Sequence, residues 1–254
     1  MVNERNIKVI QELPGEAMSL DSKDCGITEY YKNEPYRDEY KKEKCLFKIA
    51  KVTPAELNNF SVSLNEALQL KKITFCDDLL FERGLSKIPD EYLETVVTLS
   101  PENQNIFYLF KTKSRNKIYA PLNIVYKDEN HGYIVKATRY ISALTLICEY
   151  SGKVQMFDRE KMKIEDSLME YVTFETLELV IVPNTFGNLV RFISGINNSS
   201  KKKSSKKNLE SYKFRIGNQI HIILYARRGI QKGETLYYDY NNGGFDEYET
   251  SHFD

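Results

Sequence analysis

Tryptophan is absent from the 254 residues, and histidine occurs three times. The cysteines number four (Cys25, Cys45, Cys76 and Cys148), and no two of them share a Cys-x-x-Cys spacing. A zinc site built from local spacing is therefore not expected. Scattered cysteines without a secretory leader point to a reducing compartment. The first eight residues carry charges of both signs and no apolar stretch, so no leader is expected. No run approaches the roughly 18 apolar residues of a membrane span. An excess of one charge is missing too: 36 basic residues face 36 acidic ones. Net charge thus predicts no general attraction to nucleic acid. What the chain does have is tyrosine, 18 of them, and a 41% hydrophobic share that can build a real core.

The texture of the chain changes along its length. Residues 1 to about 50 are polar, with weak periodicity, and predict irregular or short structure. Thr53-Pro54-Ala55-Glu56 reads as a helix start, with a Thr cap, Pro in the first turn and Glu at the third position. Leu57, Phe60, Leu64, Ala67 and Leu68 follow at helical spacing, and Ser100-Pro101 opens a second helix through Ile106, Phe107 and Phe110. After about residue 117, short apolar runs alternate with turn signals: 119–126, 133–137, 144–150, 177–182, 212–216, 220–226 and 235–240. Their length and β-branched or aromatic content predict strands, and the short connections predict a mainly antiparallel β domain. The lysine-rich stretch from Ser199 to Asn208 is of low complexity. It is read either as a solvated loop or as a weak DNA contact through Lys201, Lys202, Lys203, Lys206 and Lys207.

Four segments of the β region stand out in order. The first is Gly132-Tyr133-Ile134-Val135, a glycine opening a strand. The second is Cys148-Glu149-Tyr150-Ser151-Gly152. The third is Gly187-Asn188-Leu189-Val190-Arg191-Phe192-Ile193-Ser194-Gly195. The fourth runs Ala226-Arg227-Arg228-Gly229-Ile230-Gln231-Lys232-Gly233-Glu234-Thr235-Leu236-Tyr237-Tyr238-Asp239-Tyr240. Taken singly, the tyrosines here fit a strand's ordinary preference for aromatics. Cys148 reads as a small buried hydrophobe, His221 as a satisfied structural histidine, and Glu149 as a packing or hydrogen-bonding residue.

Together the four segments resemble the SET-domain lysine methyltransferases, over about residues 118 to 254. The fourth is similar to that family's A-x-R-x-I-x-x-G-E-x-L-x-x-D-Y signature. Within the family the chain most resembles the plant trithorax-related histone H3 monomethyltransferases. Ser194-Gly195 replaces the usual Asn-His, only the first glycine of a Gly-x-Gly is kept at Gly132, and the tail has no zinc-binding cysteines.

The resemblance implies a mainly β SET-domain fold of small curved sheets with a pseudoknot-like C-terminal threading, preceded by a mostly helical N-terminal extension. The expected division is 1–117 for the extension, 118–241 for the SET domain and 242–254 for a tail without zinc. It implies S-adenosylmethionine as methyl donor and no metal. Tyr240, Tyr238 and Tyr150 take the catalytic places, Tyr150 lining the lysine channel and Tyr238 limiting the number of methyls. Gly132, Tyr133, Arg191, Phe192, Ser194, Gly195, Tyr248 and Phe253 take the cofactor-binding places. The implied substrate is a histone tail or nucleosome in the nucleus, with lysine 27 of histone H3 favoured. Lysine 20 of histone H4, a non-histone lysine, and a SET-fold binding module without catalysis stay open as alternatives.

Overall fold

The computed structural model describes residues 47–51, 63–85, 87–129, 131–158, 167–196 and 206–239. The expected helix start at Thr53 lies outside them, as do Lys201, Lys202, Lys203, Tyr240, Tyr248, Phe253 and the C-terminal threading. Helix α1, Leu64–Leu70, is opened by a capping box, in which the Ser63 hydroxyl accepts from the Glu66 amide while the Glu66 carboxylate accepts from the Ser63 amide. Leu64, Ala67 and Leu68 are buried, as their spacing predicts. A short turn leads to β1 (Thr74–Phe75) and β2 (Leu79–Phe81), then to α2 (Asp90–Thr95) and α3 (Pro101–Arg115). Helix α3 starts as read from the sequence, with Ser100 as cap and Pro101 in the first turn. Its Ile106, Phe107 and Phe110 are buried.

The rest is strand: β3 (Leu122–Asp128), β4 (Gly132–Ala137), β5 (Leu146–Glu149), β6 (Gly152–Met156), β7 (Met169–Phe174), β8 (Leu177–Val182) and β9 (Phe186–Gly187). A 3-10 turn (Leu189–Phe192), β10 (Ser194–Gly195), β11 (Leu209–Ile216), β12 (Gln219–Ala226) and β13 (Tyr237–Tyr238) complete the described chain. The sheets are small. One has the order β2-β6-β8-β7, another β11-β12-β5, a third is the β3-β4 pair, and two-residue parallel pairs join β1 to β9 and β10 to β13.

The residues before 118 are helical in part, as expected, yet they are woven into the strand-rich part of the chain. Strand β2 pairs in parallel with β6, and β1 with β9. One core joins α1 (Leu64, Ala67, Leu68) to Tyr150, Leu189, Leu224 and Tyr238. A second core lies where Phe107 and Phe110 of α3 meet Phe214, Ile223 and Tyr225. The β11-β12-β5 sheet is thus covered on both faces, which is why β12 is buried from Ile220 to Ala226 and apolar throughout that stretch except at His221. At the first residue of β6, Gly152 has φ +146, and a Cβ there would lie 2.7 Å from the Val182 carbonyl oxygen. Only glycine fits where β6 leaves this close crossing.

Candidate active site

The site is organised by the end of β5. Strand pairing continues one residue past it, since the Tyr150 amide donates to the Ile222 carbonyl at 2.7 Å. Alternation along a strand sends neighbouring side chains to opposite faces, so Glu149 and Tyr150 serve different surroundings.

Tyr150 enters the main core and is fully buried. Its ring meets that of Tyr238 edge-on, with centroids 6.5 Å apart. Its hydroxyl lies 3.0 Å from the Ser167 hydroxyl. Burial raises the Tyr150 phenol above its ordinary value, against the Ser167 hydrogen bond and the nearby Tyr238 hydroxyl and Arg191 charge. Tyr150 is therefore a neutral hydroxyl at neutral pH. Tyr238 reaches this point because β13 is pinned from three sides. Gly195 of β10 faces it in register, the Ile196 amide donates to its carbonyl, and Asn208 brackets Tyr237 by accepting from its amide at 2.8 Å. The residues just before β13 lie against β4, where the Leu236 amide donates to Val135 and the Ala137 amide to Glu234. That competition is why only Tyr237–Tyr238 of the expected strand 235–240 form a strand among the described residues.

The expected cofactor-binding residues that are described gather beside this chamber. Gly132 opens β4 at φ +63, with no atom within 4 Å of where a Cβ would sit. The Tyr133 ring meets Phe192 edge-on at 6.2 Å, so β4 packs on the 3-10 turn carrying Arg191 and Phe192. Ser194 and Gly195 follow directly in β10. The turn is held by Asn188, whose side-chain oxygen accepts from the Val190 amide at 3.0 Å.

Glu149 looks the other way, into a buried ionic network that sequence reasoning missed. Its carboxylate lies 2.6 Å from Lys111 Nζ of α3 and accepts from His221 Nδ1 at 2.6 Å. Lys111 also reaches Asp77 Oδ2 at 2.9 Å. Asp77, its side chain 1% exposed, further accepts from Ser114 at 2.5 Å, Tyr119 at 3.1 Å and Asn188 at 2.7 Å. Burial would lower the Lys111 ammonium, but the Glu149 and Asp77 charges outweigh it and hold it above its ordinary value. Asn188 donates to both Asp77 and the Glu149 carbonyl, so the network reaches the turn beside the chamber. His221 is a satisfied structural histidine, as read. Cys148 is fully buried, and its thiol is pushed well above its ordinary value by burial and by Asp77 and Glu149, which suits packing and not nucleophilic work.

Ser167 was also missed. It lies in no motif, and its partner is 17 residues away. Of the lysine-rich stretch, Lys206 and Lys207 are described: Lys207 is paired with Glu210 at 2.7 Å, both side chains largely covered, and Lys206 is exposed with its ammonium over the Tyr237 ring. Among the described residues no His/Cys/Asp/Glu cluster could hold a metal, and no helix is long and apolar enough to cross a membrane.

Comparison with known proteins meets this geometry directly. The SET domain family model matches residues 132–241, which hold Tyr150, Ser167, Tyr238 and the turn. A crystal structure of ATXR5 with histone H3.1 mono-methylated on R26 superposes with a TM-score of 0.71, is 30% identical, and covers 81% of this chain and 98% of that one. The chain belongs to the SET-domain family. The histone-lysine N-methyltransferase ATXR6 of Arabidopsis thaliana is 36% identical over 200 residues, or 75% of this chain. ATXR5 of the same plant, also a histone-lysine N-methyltransferase, is 42% identical over 135 residues, 52% of this chain. The chain spans 56% of the former and 35% of the latter. A second ATXR5 SET-domain structure, with histone H3 di-methylated on R26, gives a TM-score of 0.72 at 31% identity, covering 81% of this chain and 98% of that one.

Proposed function

We propose that this SET domain is a protein-lysine N-methyltransferase that adds one methyl group to lysine 27 of histone H3, in the nucleus. The observation that carries the reading is the buried pair of hydroxyls, Tyr150 and Tyr238, set beside the 3-10 turn that bears Arg191. The histone H3 bound by ATXR5 in both superposed structures carries its mark at residue 26, next to lysine 27.

The donor set fits S-adenosylmethionine. The open space at Gly132, the Tyr133 and Phe192 rings, the Arg191 guanidinium and the backbone of Ser194-Gly195 border one region. The guanidinium suits a carboxylate, the rings suit a sulfonium or adenine, and strand amides suit the remaining polar groups. When bound there, the cofactor supplies an electrophilic methyl group.

The chain's own residues do the rest. The chamber excludes water and lines the target lysine's stem with rings. Cation–π contact stabilises the methylated ammonium by about 0.5–2 kcal/mol per ring. An uncharged amine is favoured in a dry chamber beside a sulfonium, because both surroundings disfavour the ammonium. The Tyr150 and Tyr238 hydroxyls orient the amine's lone pair, and alignment of this kind contributes up to about 7–11 kcal/mol. Tyr240, by its place in the Asp-Tyr signature, takes the catalytic tyrosine's role. The Tyr238 hydroxyl occupies the space a second methyl would need, which limits the product to one.

The test is methyl transfer to nucleosomes and to separate histone-tail peptides, read by mass spectrometry. A single methyl on lysine 27 of histone H3, lost in Tyr240→Phe, supports the reading. Transfer confined to lysine 20 of histone H4 overturns the target. Transfer to no histone, with the cofactor bound, overturns the substrate class. No cofactor binding overturns the enzyme reading.

A further inference from the structure

Ser167 belongs to none of the motifs, yet it touches the chamber. It stands two residues before β7 and is buried, and its hydroxyl lies 3.0 Å from that of Tyr150. A phenol has one O–H to donate and two lone pairs to accept. Ser167 takes one of Tyr150's three hydrogen-bonding positions, and the Tyr238 ring packs edge-on against the Tyr150 ring. The positions Ser167 does not take are those that meet a substrate amine. Ser167 also fills space beside the Tyr150 hydroxyl that a water would otherwise take as a further partner.

We infer that Ser167 is a positioning residue that sets product number, by fixing the Tyr150 hydroxyl so that it holds the amine in one orientation only. This rests on the lysine-methyltransferase reading above. In each transfer the amine's lone pair forms the new N–C bond as the C–S bond to the sulfonium donor breaks. That bonding pair stays on sulfur, and one N–H proton leaves to solvent. A monomethylated amine can repeat this only if it turns to aim its lone pair again, which needs its N–H contact to Tyr150 to move. With the Tyr150 hydroxyl held by Ser167 and its ring packed against Tyr238, that turn has nowhere to go. Removing the Ser167 hydroxyl frees a position on Tyr150 and a small space beside it, and the turn becomes possible.

The experiment compares wild type, Ser167→Ala, Ser167→Cys and Ser167→Thr on unmodified and monomethylated histone H3 peptides carrying lysine 27. Products are read by mass spectrometry, and peptide affinity without cofactor by calorimetry. For Ser167→Ala, the rate on the monomethylated peptide relative to the unmodified one should rise about tenfold, the worth of one hydrogen bond. Dimethyl product should appear, and the affinity gap between the two peptides should narrow. Ser167→Thr, which keeps the hydroxyl, should restore the wild-type ratio. Ser167→Cys fills the site with a weak hydrogen-bonding group, and carries the same expectation as alanine should alanine fail to fold. An active wild type whose alanine and cysteine variants give an unchanged product ratio overturns the role of Ser167 alone. A wild type that methylates neither peptide overturns the substrate assigned above, and this inference with it.

Discussion

Two neighbouring residues of one strand face two kinds of interior. On the Glu149 side, Lys111, Asp77, Glu149 and His221 form a charged network buried against α3. On the Tyr150 side, Tyr150, Tyr238 and Ser167 form a cluster of hydroxyl side chains, with no carboxylate or ammonium among them. The difference is what the proposed reaction asks of each side. A methyl-transfer chamber works with an uncharged amine and a cationic donor, so a fixed carboxylate there would hold the lysine as an ammonium. The charged side binds a region outside the family match to the strands within it, and its geometry has to be tight to repay desolvation. The two sides communicate at Asn188, which donates to Asp77 and caps the turn bearing Arg191.

The contrast can be broken from either side. Lys111→Ala leaves the Asp77 and Glu149 carboxylates buried without their cation. The expected loss of stability is about 3–5 kcal/mol, seen as a lower urea midpoint. On the other side, Tyr150→Phe removes a hydroxyl and leaves the packing. Methyl transfer should fall about 100-fold because the amine is no longer aimed, at a stability cost of about 1–3 kcal/mol for the buried Ser167 hydroxyl that loses its partner. Tyr238→Phe is gentler still: activity persists and the product shifts from one methyl to two, visible by mass spectrometry, at a stability cost of about 1 kcal/mol.

The smallest effect lies at the staple that holds the end of the signature. Burial alone would raise the Glu234 carboxyl, but hydrogen bonds from Arg228, the Gln231 amide and Asn208 outweigh it and hold it below its ordinary value of 4.5. A carboxyl lowered in the folded state adds stability above its unfolded value and loses it as pH falls through the folded one. Glu234→Gln should therefore cost under about 1 kcal/mol at pH 7 and nothing at the acid end, measured by urea unfolding at both.

What could be read in the sequence was what lies close together along it. The 226–239 signature, the Ser100-Pro101 helix start and the 177–182 strand all depend on neighbours within a turn or a strand. Boundaries moved where tertiary contacts took over. Leu144 has φ +66, so β5 begins at Leu146 and not at 144. Asp77, Lys111 and Ser167 were invisible for a related reason. Lys111 is 34 residues from Asp77, and Ser167 is 17 from Tyr150. A buried lysine in an amphipathic helix looks like any surface lysine until the strand that brings its carboxylates is in place. Ser194-Gly195 fits backbone use: β10 pairs with β13 through its main chain, which places no demand on the side chains.

The measurement that tests the account most directly is transfer to a histone H3 tail peptide, with an otherwise identical peptide carrying arginine at position 27, and Lys111→Ala and Tyr238→Phe alongside wild type. The account predicts one methyl on the lysine peptide and none on the arginine peptide. It also predicts an unchanged single-methyl product from the folded fraction of Lys111→Ala, and a second methyl from Tyr238→Phe. Methylation of both peptides by wild type, or a second methyl from Lys111→Ala and not from Tyr238→Phe, would contradict it.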